Sequence, residues 1–501
     1  MINAKSKISS IVFIITVFIL IQSHASAQET EVIKVGSKKF TENIILGDIV
    51  TQLLRADSLN AVHIRELGGT TILWNSLLNG EIDIYPDYTG TILKEILAKE
   101  NLTVSKLESF LNEKGIGITK PLGFNNTYAI GLKKEIAEKL NINSISDLAS
   151  HPELKFGFTN EFMERNDGWP GLRNTYQLFN NEATGLDHDL AYKGLETGSV
   201  DVIDLYSTDA EISYYNLKVL KDDKNYFTDY KAVYLYRKEL VQKHPAINKI
   251  FSELENSIPE SLMIKMNSEV KINKLDEASV ASEFIKKTFA VNTDFNKTTL
   301  LTRLLNNTLD HLFLVCVSLS MAILLAIPLG IISYKVKELG KVVLGITGVI
   351  QTIPSLALLV FMIPLLGIGS WPAIAALFLY SLLPIVRNTY SGLQNIPGSI
   401  KESAVVLGLP GLAILRKIEL PIASPSILSG IKISAVINVG TATLGALIGA
   451  GGYGQPILTG IRLDSISLIL EGAVPAALLA LLVQGVFDLI EKLLVPRGLK
   501  Q

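Results

Sequence analysis

The sequence predicts a two-lobed α/β domain over residues 28–292, followed by an all-α transmembrane domain with about five spans over residues 309–501. Three observations lead there. Residues 30 to 300 are rich in Lys, Asp, Glu and Asn, as in ordinary globular sequence, whereas the long runs of Leu, Ile, Ala and Val lie between residues 309 and 494. In the polar half, short β-type runs alternate with segments of helical period, the pattern of a doubly wound sheet. The apolar half divides into segments near the roughly 20 residues that a spanning helix needs.

At 501 residues the chain is too long for one compact domain. Its net charge of −2 gives no sign of a nucleic-acid partner. Cys316 is the sole cysteine, so an intrachain disulfide is excluded, and it reads as a small packing residue inside an apolar run. The N-terminus has the parts of a signal peptide over residues 1–27: Lys5 and Lys7, an apolar core from Ile8 to Ile21, and Ala25-Ser26-Ala27 as a cleavage site. Cleaved or kept as an anchor, it puts the polar half of the chain outside the cytoplasm.

Glu31 to Ser37 reads as a strand ending in a turn. Thr41 to Arg55 reads as a helix, with Ile44, Ile45, Ile49, Leu53 and Leu54 forming one stripe. Val62–Leu67 is a second strand, Thr71–Asn79 a second helix, and Ile82–Tyr85 a third strand. A new α/β set, the second lobe, runs from about residue 122 to 230, and the chain then returns to the first lobe. Residues 293–308 form a polar linker.

Five apolar segments come next, at about 310–333, 342–366, 371–390, 427–449 and 472–491. Lys335, Lys337 and Lys341 follow the first, while Arg387, Lys401, Arg416 and Lys417 surround the connection from third to fourth. Lys492, Arg497 and Lys500 close the chain, and the two remaining connections carry a single basic residue, Arg462. The positive-inside rule puts the basic set and the C-terminus in the cytoplasm, so five spans start outside and end inside. Pro354, Pro364 and Pro475 are expected to kink spans. Asn438, Thr441 and Thr443 are polar groups in the fourth, open to two readings: a substrate path or helix–helix hydrogen bonding.

No phosphate-cradling Walker sequence occurs, so nucleotide binding belongs to another chain if it occurs at all. The six histidines are scattered, and no metal cluster or nucleophile–base pattern stands out, which leaves an enzymatic reading without support. No cofactor is implied.

Residues 402–421 read Glu402-x-Ala404, then Gly408, then Ile418-x-Leu420-Pro421. This resembles the "EAA" cytoplasmic loop of ABC importer permeases, which docks the membrane subunit on a separate ATPase. The expectation is a short helical pair, broken at Gly408 and Pro410 and ended by Pro421, with Glu402 near a helix start, where a carboxylate is favoured.

The polar half carries GSKKFTEN (Gly36–Asn43), LGGTT (Leu67–Thr71), IDIYPDYTGT (Ile82–Thr91), NNTYA (Asn125–Ala129), ERNDGWPGL (Glu164–Leu172), GLDHDLAY (Gly185–Tyr192) and DLYSTDAEI (Asp204–Ile212). These resemble the binding proteins for glycine betaine, carnitine and choline. With the permease half, the chain looks like a fused substrate-binding protein and permease of the osmoprotectant ABC importers. The resemblance implies a type II periplasmic-binding-protein fold whose solute is a quaternary-ammonium compound. A trimethylammonium head has charge but no hydrogen-bond donor, so aromatic faces hold it best, at about 0.5–2 kcal/mol each. A carboxylate tail needs cations and hydroxyl donors. By that resemblance Tyr88, Tyr128, Tyr206 and Tyr230 are cage candidates, and Lys38, Thr91 and Arg165 are carboxylate candidates. Lys38 is preferred over its neighbour Lys39. Trp74 and Trp169 read as structural, and Asp87 could orient Tyr88 or face the cation. Arg165 and Lys38 could instead pair with protein carboxylates.

The resemblance further implies separate ATP-binding subunits, a homodimer of this chain, contact with membrane lipid, and a multi-pass place in the cell membrane. Ergothioneine, a larger betaine, is the alternative solute. A ligand-gated sensor or channel would need no ATPase, and would tolerate Glu402→Lys or Gly408→Asp.

Overall fold

The computed structural model describes residues 32–100, 104–293 and 299–495. The signal segment 1–27 and the terminal Arg497 and Lys500 lie outside the described residues.

Two five-stranded sheets organise the first half. The first is ordered β2-β1-β3-β10-β4, from β1 (Ile33–Gly36), β2 (Ala61–Ile64), β3 (Ile84–Tyr88), β4 (Ile116–Ile118) and β10 (Ala232–Arg237). The second is ordered β7-β6-β8-β5-β9, from β5 (Tyr128–Lys133), β6 (Phe156–Thr159), β7 (Ala183–Leu186), β8 (Val202–Tyr206) and β9 (Leu217–Val219). In each sheet, strands that follow helices pair in parallel, and one returning strand pairs antiparallel on both sides. Because β10 inserts between β3 and β4, the chain crosses between lobes twice. The crossings touch through the Asn125–Lys231 bridge.

The expected third strand is displaced toward Tyr88. Pro86 sits inside β3, yet β1 pairs with β3 only at Val35↔Ile84, so the missing N–H of Pro86 faces no ladder partner. The expected second strand stops at Ile64, ahead of Glu66, whose φ of 60° is left-handed and incompatible with a strand.

The helices that position the cleft are α1 (Thr41–Ala56), α2 (Thr70–Leu78), α3 (Asn160–Glu164), α4 (Trp169–Tyr176), α5 (His188–Thr197), α6 (Glu260–Lys271) and α7 (Glu277–Phe289). Helix α1 is buried from Thr41 to Leu54. Its Ile45, Leu46, Ile49 and Val50 join Met263, Val270, Ala281 and Phe284 from α6 and α7 in the first-lobe core. Removing such side chains from water is worth about 1.5–3 kcal/mol each. Trp169 packs with Phe156, Phe158 and Phe162 in the second-lobe core, as a structural residue would.

The second half is helical: α8 (Leu300–Lys335), α9 (Lys337–Thr352), α10 (Ser355–Leu366), α11 (Ser370–Gln394), α12 (Gly398–Val406), α13 (Leu420–Thr441), α14 (Gly454–Arg462) and α15 (Ile466–Leu494). Four helices among the described residues are long and apolar enough to cross a membrane, and a fifth span exists if the bent pair α9–α10 counts as one. That pair turns by 101° around Pro354, so the expected second span is broken rather than merely kinked. Outward Leu324, Leu365 and Leu481 are exposed apolar groups of the kind lipid covers.

Asn438 is fully buried. Its amide donates to Ser318 Oγ on α8 at 3.1 Å and accepts from Ser381 Oγ on α11 at 3.1 Å. Of the two readings of that polar group, the geometry gives helix–helix hydrogen bonding.

The 402–421 loop differs from expectation in two ways. Helix α12 begins at Gly398, after Pro397, so Glu402 lies in its second turn rather than at its start. Beyond Gly408, whose φ is 72°, a helical turn (Gly411–Ile414) runs through a π-type turn (Leu415–Glu419) straight into α13. Pro421 therefore does not end a helix but stands early in α13, directly after the π-type turn.

Candidate functional site

All seven residues singled out from the sequence line one cavity between the lobes, enclosing about 750 Å³ of empty space, part of it open to solvent. Chain topology explains the convergence. Lys38 follows β1, Tyr88 closes β3 and Thr91 follows it, Tyr128 opens β5, Tyr206 closes β8, Arg165 follows α3, and Tyr230 sits on the second crossing. Strand ends and crossing segments all face the cleft, where a doubly wound sheet binds its ligands.

The aromatic groups form a cluster. Tyr128 and Tyr206 are paired across β5 and β8, their rings 5.0 Å apart and tilted by 40°. Tyr230 meets Tyr128 edge-on at 5.8 Å, and Phe40 meets Tyr206 at 5.7 Å. Burial raises the pKa of the Tyr88, Tyr128, Tyr206 and Tyr230 phenols, with neighbouring acidic groups adding to it at Tyr88 and Tyr230, so the rings stay neutral.

The cations are tied to protein carboxylates. Lys38 Nζ lies 2.7 Å from Asp87, both fully or nearly buried, and 5.9 Å from the Tyr88 ring centre. Lys39 instead points across the cleft to Asp187 at 3.2 Å. Arg165 binds Asp167 through Nε at 2.8 Å and Nη2 at 2.7 Å, with its guanidinium 5.5 Å from the Tyr128 centre. The Tyr230 hydroxyl also donates to Asp167. Burial would raise the Asp167 pKa, but Arg165 and Tyr230 outweigh it and hold the carboxyl below its ordinary value. Lys38 and Arg165 each keep N–H groups beyond those bonds, since an ammonium has three and a guanidinium five.

Sequence reasoning missed several lining residues. Glu42 is buried and accepts four bonds: Tyr88 hydroxyl at 2.6 Å, Asn126 Nδ2 at 2.7 Å, Thr208 Oγ1 at 2.5 Å and Asn267 Nδ2 at 3.1 Å. Burial raises its pKa, against the pull of those donors. His188 Nε2 lies 3.3 Å from Asp209, and its Nδ1 has no protein partner. Burial alone would lower the His188 pKa, but Asp209 raises it to about 9, leaving an imidazolium on the cavity wall. Asn126 Oδ1 and Asn267 Oδ1 are also unpartnered. Glu42, Asn126 and His188 lie inside the quoted motifs, but no spacing marks them; Lys271 and Arg462 also line the cavity and lie outside every motif.

The cleft is closed. Lys39–Asp187, Glu42–Thr208, Asn267 Nδ2 to the Thr208 carbonyl at 3.0 Å, and Lys271–Asp189 all cross from one lobe to the other.

Residues 31–287 match the family described as the substrate-binding domain of ABC-type glycine betaine transport systems, and residues 322–499 match binding-protein-dependent transport system inner membrane components. The chain belongs to the glycine betaine-type ABC importer family. It is a receptor and a permease in one polypeptide. Over 197 residues it is 41% identical to the glycine betaine/carnitine/choline transport system permease protein OpuCB of Bacillus subtilis, covering 39% of this chain and 91% of that one. Over 271 residues it is 34% identical to the ergothioneine transport permease/ergothioneine binding protein EgtU of Helicobacter pylori, covering 52% of this chain and 48% of that one. A solved glycine betaine/carnitine/choline ABC transporter structure shares 31% identity at a TM-score of 0.45, covering 52% of this chain and all of that chain.

Proposed function

We propose that this chain captures a quaternary-ammonium solute of the glycine betaine, carnitine or choline type and passes it through the membrane, powered by separate ATP-binding subunits. The observation that carries the reading is the convergence of Tyr88, Tyr128, Tyr206 and Tyr230 with Lys38, Thr91 and Arg165 on one cavity. The neutral rings suit the trimethylammonium group, and the spare N–H groups of Lys38 and Arg165 suit a carboxylate. In this reading residues 28–292 form the extracytoplasmic receptor, 293–308 the linker and 309–501 the permease, after a signal peptide over 1–27.

Val406 and Leu407 on the 402–421 loop are 86% and 78% exposed, which supports docking of Glu402, Ala404, Gly408, Ile418, Leu420 and Pro421 on an ATPase subunit. A homodimer would supply the second permease half, with both loops and C-termini on the cytoplasmic side.

One observation favours a solute with its own hydrogen-bond donor (ergothioneine, choline or carnitine) over glycine betaine. The Asn126 and Asn267 amides spend their nitrogens on Glu42 and leave their oxygens as unpaired acceptors. Glycine betaine offers such acceptors no N–H or O–H, whereas an imidazole-thione ring or a choline hydroxyl does. Calorimetric titration of the full chain in nanodiscs with glycine betaine, carnitine, choline and ergothioneine decides between them. Binding of one trimethylammonium compound, lost in Tyr206→Ala, is the expected result; binding of none by the folded chain would overturn the reading.

A further inference from the structure

Arg462 is the one basic residue in the two connections that otherwise lack Lys and Arg. It lies at the end of α14, only 8% exposed, and inserts into the receptor. Its Nη2 lies 2.9 Å from Glu66 and 2.6 Å from Glu277, the latter an ion pair rather than an aligned hydrogen bond. Its Nε donates to Glu66 at 3.0 Å and its Nη1 to Thr41 Oγ1 at 2.9 Å. Glu66 also accepts from Gln455 at 2.9 Å and Thr459 at 3.2 Å, so three permease side chains converge on one receptor carboxylate.

The next residues reach both lobes. The Arg462 carbonyl accepts from Lys271 at 3.3 Å and the Leu463 carbonyl from Lys274 at 2.5 Å, both first-lobe lysines. Asp464 pairs with Lys193 of the second lobe at 2.5 Å. Lys271 also binds Asp189 and lies 3.3 Å from Glu211, so it joins first lobe, second lobe and permease at one ammonium. Arg462 itself lines the ligand cavity.

We propose that Arg462–Asp464 is a latch by which the permease holds its own receptor in the closed form: Arg462 bolts the segment to the first lobe at Glu66 and Glu277, which sets the Arg462 carbonyl on Lys271, the ammonium that bridges the lobes, and Asp464 on Lys193 of the second lobe. The magnitudes separate the parts. Lys193–Asp464 is well exposed on both sides and contributes little alone. Arg462 is different, because removing it leaves the buried Glu66 with only the neutral donors Gln455 and Thr459, and the buried Glu277 with only the more distant Arg65. The guanidinium's planar fork reaches Glu66, Glu277 and Thr41 at once, which a lysine ammonium cannot do. Attachment to the same chain's permease fits the reach of the tether. Eleven peptide steps separate Phe289, the end of α7, from Leu300, the start of α8, so the tether spans at most roughly 40 Å. The latch depends on the receptor-and-permease reading but not on the identity of the solute.

The test uses the full chain in nanodiscs, with Cys316→Ser and a cysteine pair at Lys193→Cys and Asp464→Cys, bridged by a short bifunctional maleimide without added solute. Arg462→Ala is expected to slow bridging about 100-fold, and Arg462→Lys less. Bridging by Arg462→Ala at the parent rate, in a chain that melts at the parent temperature, would overturn the latch. When each cysteine is carried on a differently tagged chain, a bridge between the two tags would overturn attachment in cis. Binding of no trimethylammonium compound by a chain whose latch bridges normally would sink the solute reading alone.

Discussion

Tyr128 has more neighbours in the cavity than any other aromatic candidate: it touches Tyr206, Tyr230, Phe162 and Phe227, and the Arg165 guanidinium lies over its ring. Tyr128→Ala should weaken binding of a trimethylammonium compound by about 2- to 30-fold, while Tyr128→Phe, which keeps the ring face, should cost far less; titration of the full chain separates them. His188 gives a prediction in pH. It faces Asp209, Asp189 and Lys271, with Phe40, Tyr192 and Tyr206 packed on its ring. Burial works against its charge, Asp209 outweighs burial, and its pKa in the fold rises from 6.5 to about 9. The group binds its proton more tightly folded than unfolded. Its stabilising contribution is therefore complete below pH 6.5 and is lost as pH rises through about 9. Melting temperatures between those limits should fall more steeply for the parent than for His188→Gln, and equal slopes would remove His188 from the account. At this scale the sequence revealed the tyrosines and the cations through their motifs. Glu42, Asn126 and Asn267 were not legible, because what marks them is a shared bond network between residues up to 225 positions apart.

Among the elements, periodicity located most strands and helices and missed where backbone chemistry intervened. The strand at Ile84–Tyr88 tolerates Pro86 only because its ladder with β1 is a single pair, which no window of residues can reveal. Pro354 promises a kink in the sequence and makes a break in the fold, since Ile353 and Pro354 both leave the helical region and a new helix starts at Ser355. The loop at 398–419 is anchored by Glu419, which is 2% exposed, pairs with Lys335 at 2.9 Å and accepts from Tyr334 at 3.4 Å. Lys401 in turn donates to Tyr334 at 2.6 Å and to the Leu393 carbonyl at 3.1 Å. These contacts tie the loop proposed to dock the ATPase to the end of α8. Glu419→Gln should therefore lower solute uptake several-fold while leaving solute affinity unchanged, because the receptor lies at the other end of the bundle. Uptake assays beside calorimetry check this; a change in affinity would contradict it. The Asn438 seam is a weaker device: Asn438→Ala should cost about 0.6–1.7 kcal/mol, seen as a lower melting temperature in the membrane.

For the molecule as a whole, charge and geometry mark the same two ends. The receptor rests on the connections at 367–369 and 449–464: Glu81 accepts from the Ile368 amide at 3.1 Å, Leu67 packs on Gly449, and Glu66 and Glu277 hold Arg462. Those are the connections nearly free of Lys and Arg, while Lys335, Lys337, Lys341, Lys401, Arg416 and Lys417 gather at the opposite end. Arg462, the basic residue in those connections, is neutralised by two receptor carboxylates. Sequence alone could flag it as an exception but not supply its partners, which lie 396 positions away at Glu66 and on α7. The orientation can be measured on a Cys316→Ser background with an impermeant maleimide. Lys224→Cys on the second lobe should label in right-side-out membrane vesicles. Val406→Cys, on the loop that resembles the ATPase dock, should label only in inverted ones, because a charged reagent cannot cross the apolar core to reach it. Labelling of Val406→Cys from the receptor side would place receptor and dock on one face, and an importer powered from the cytoplasm could not be built from this chain.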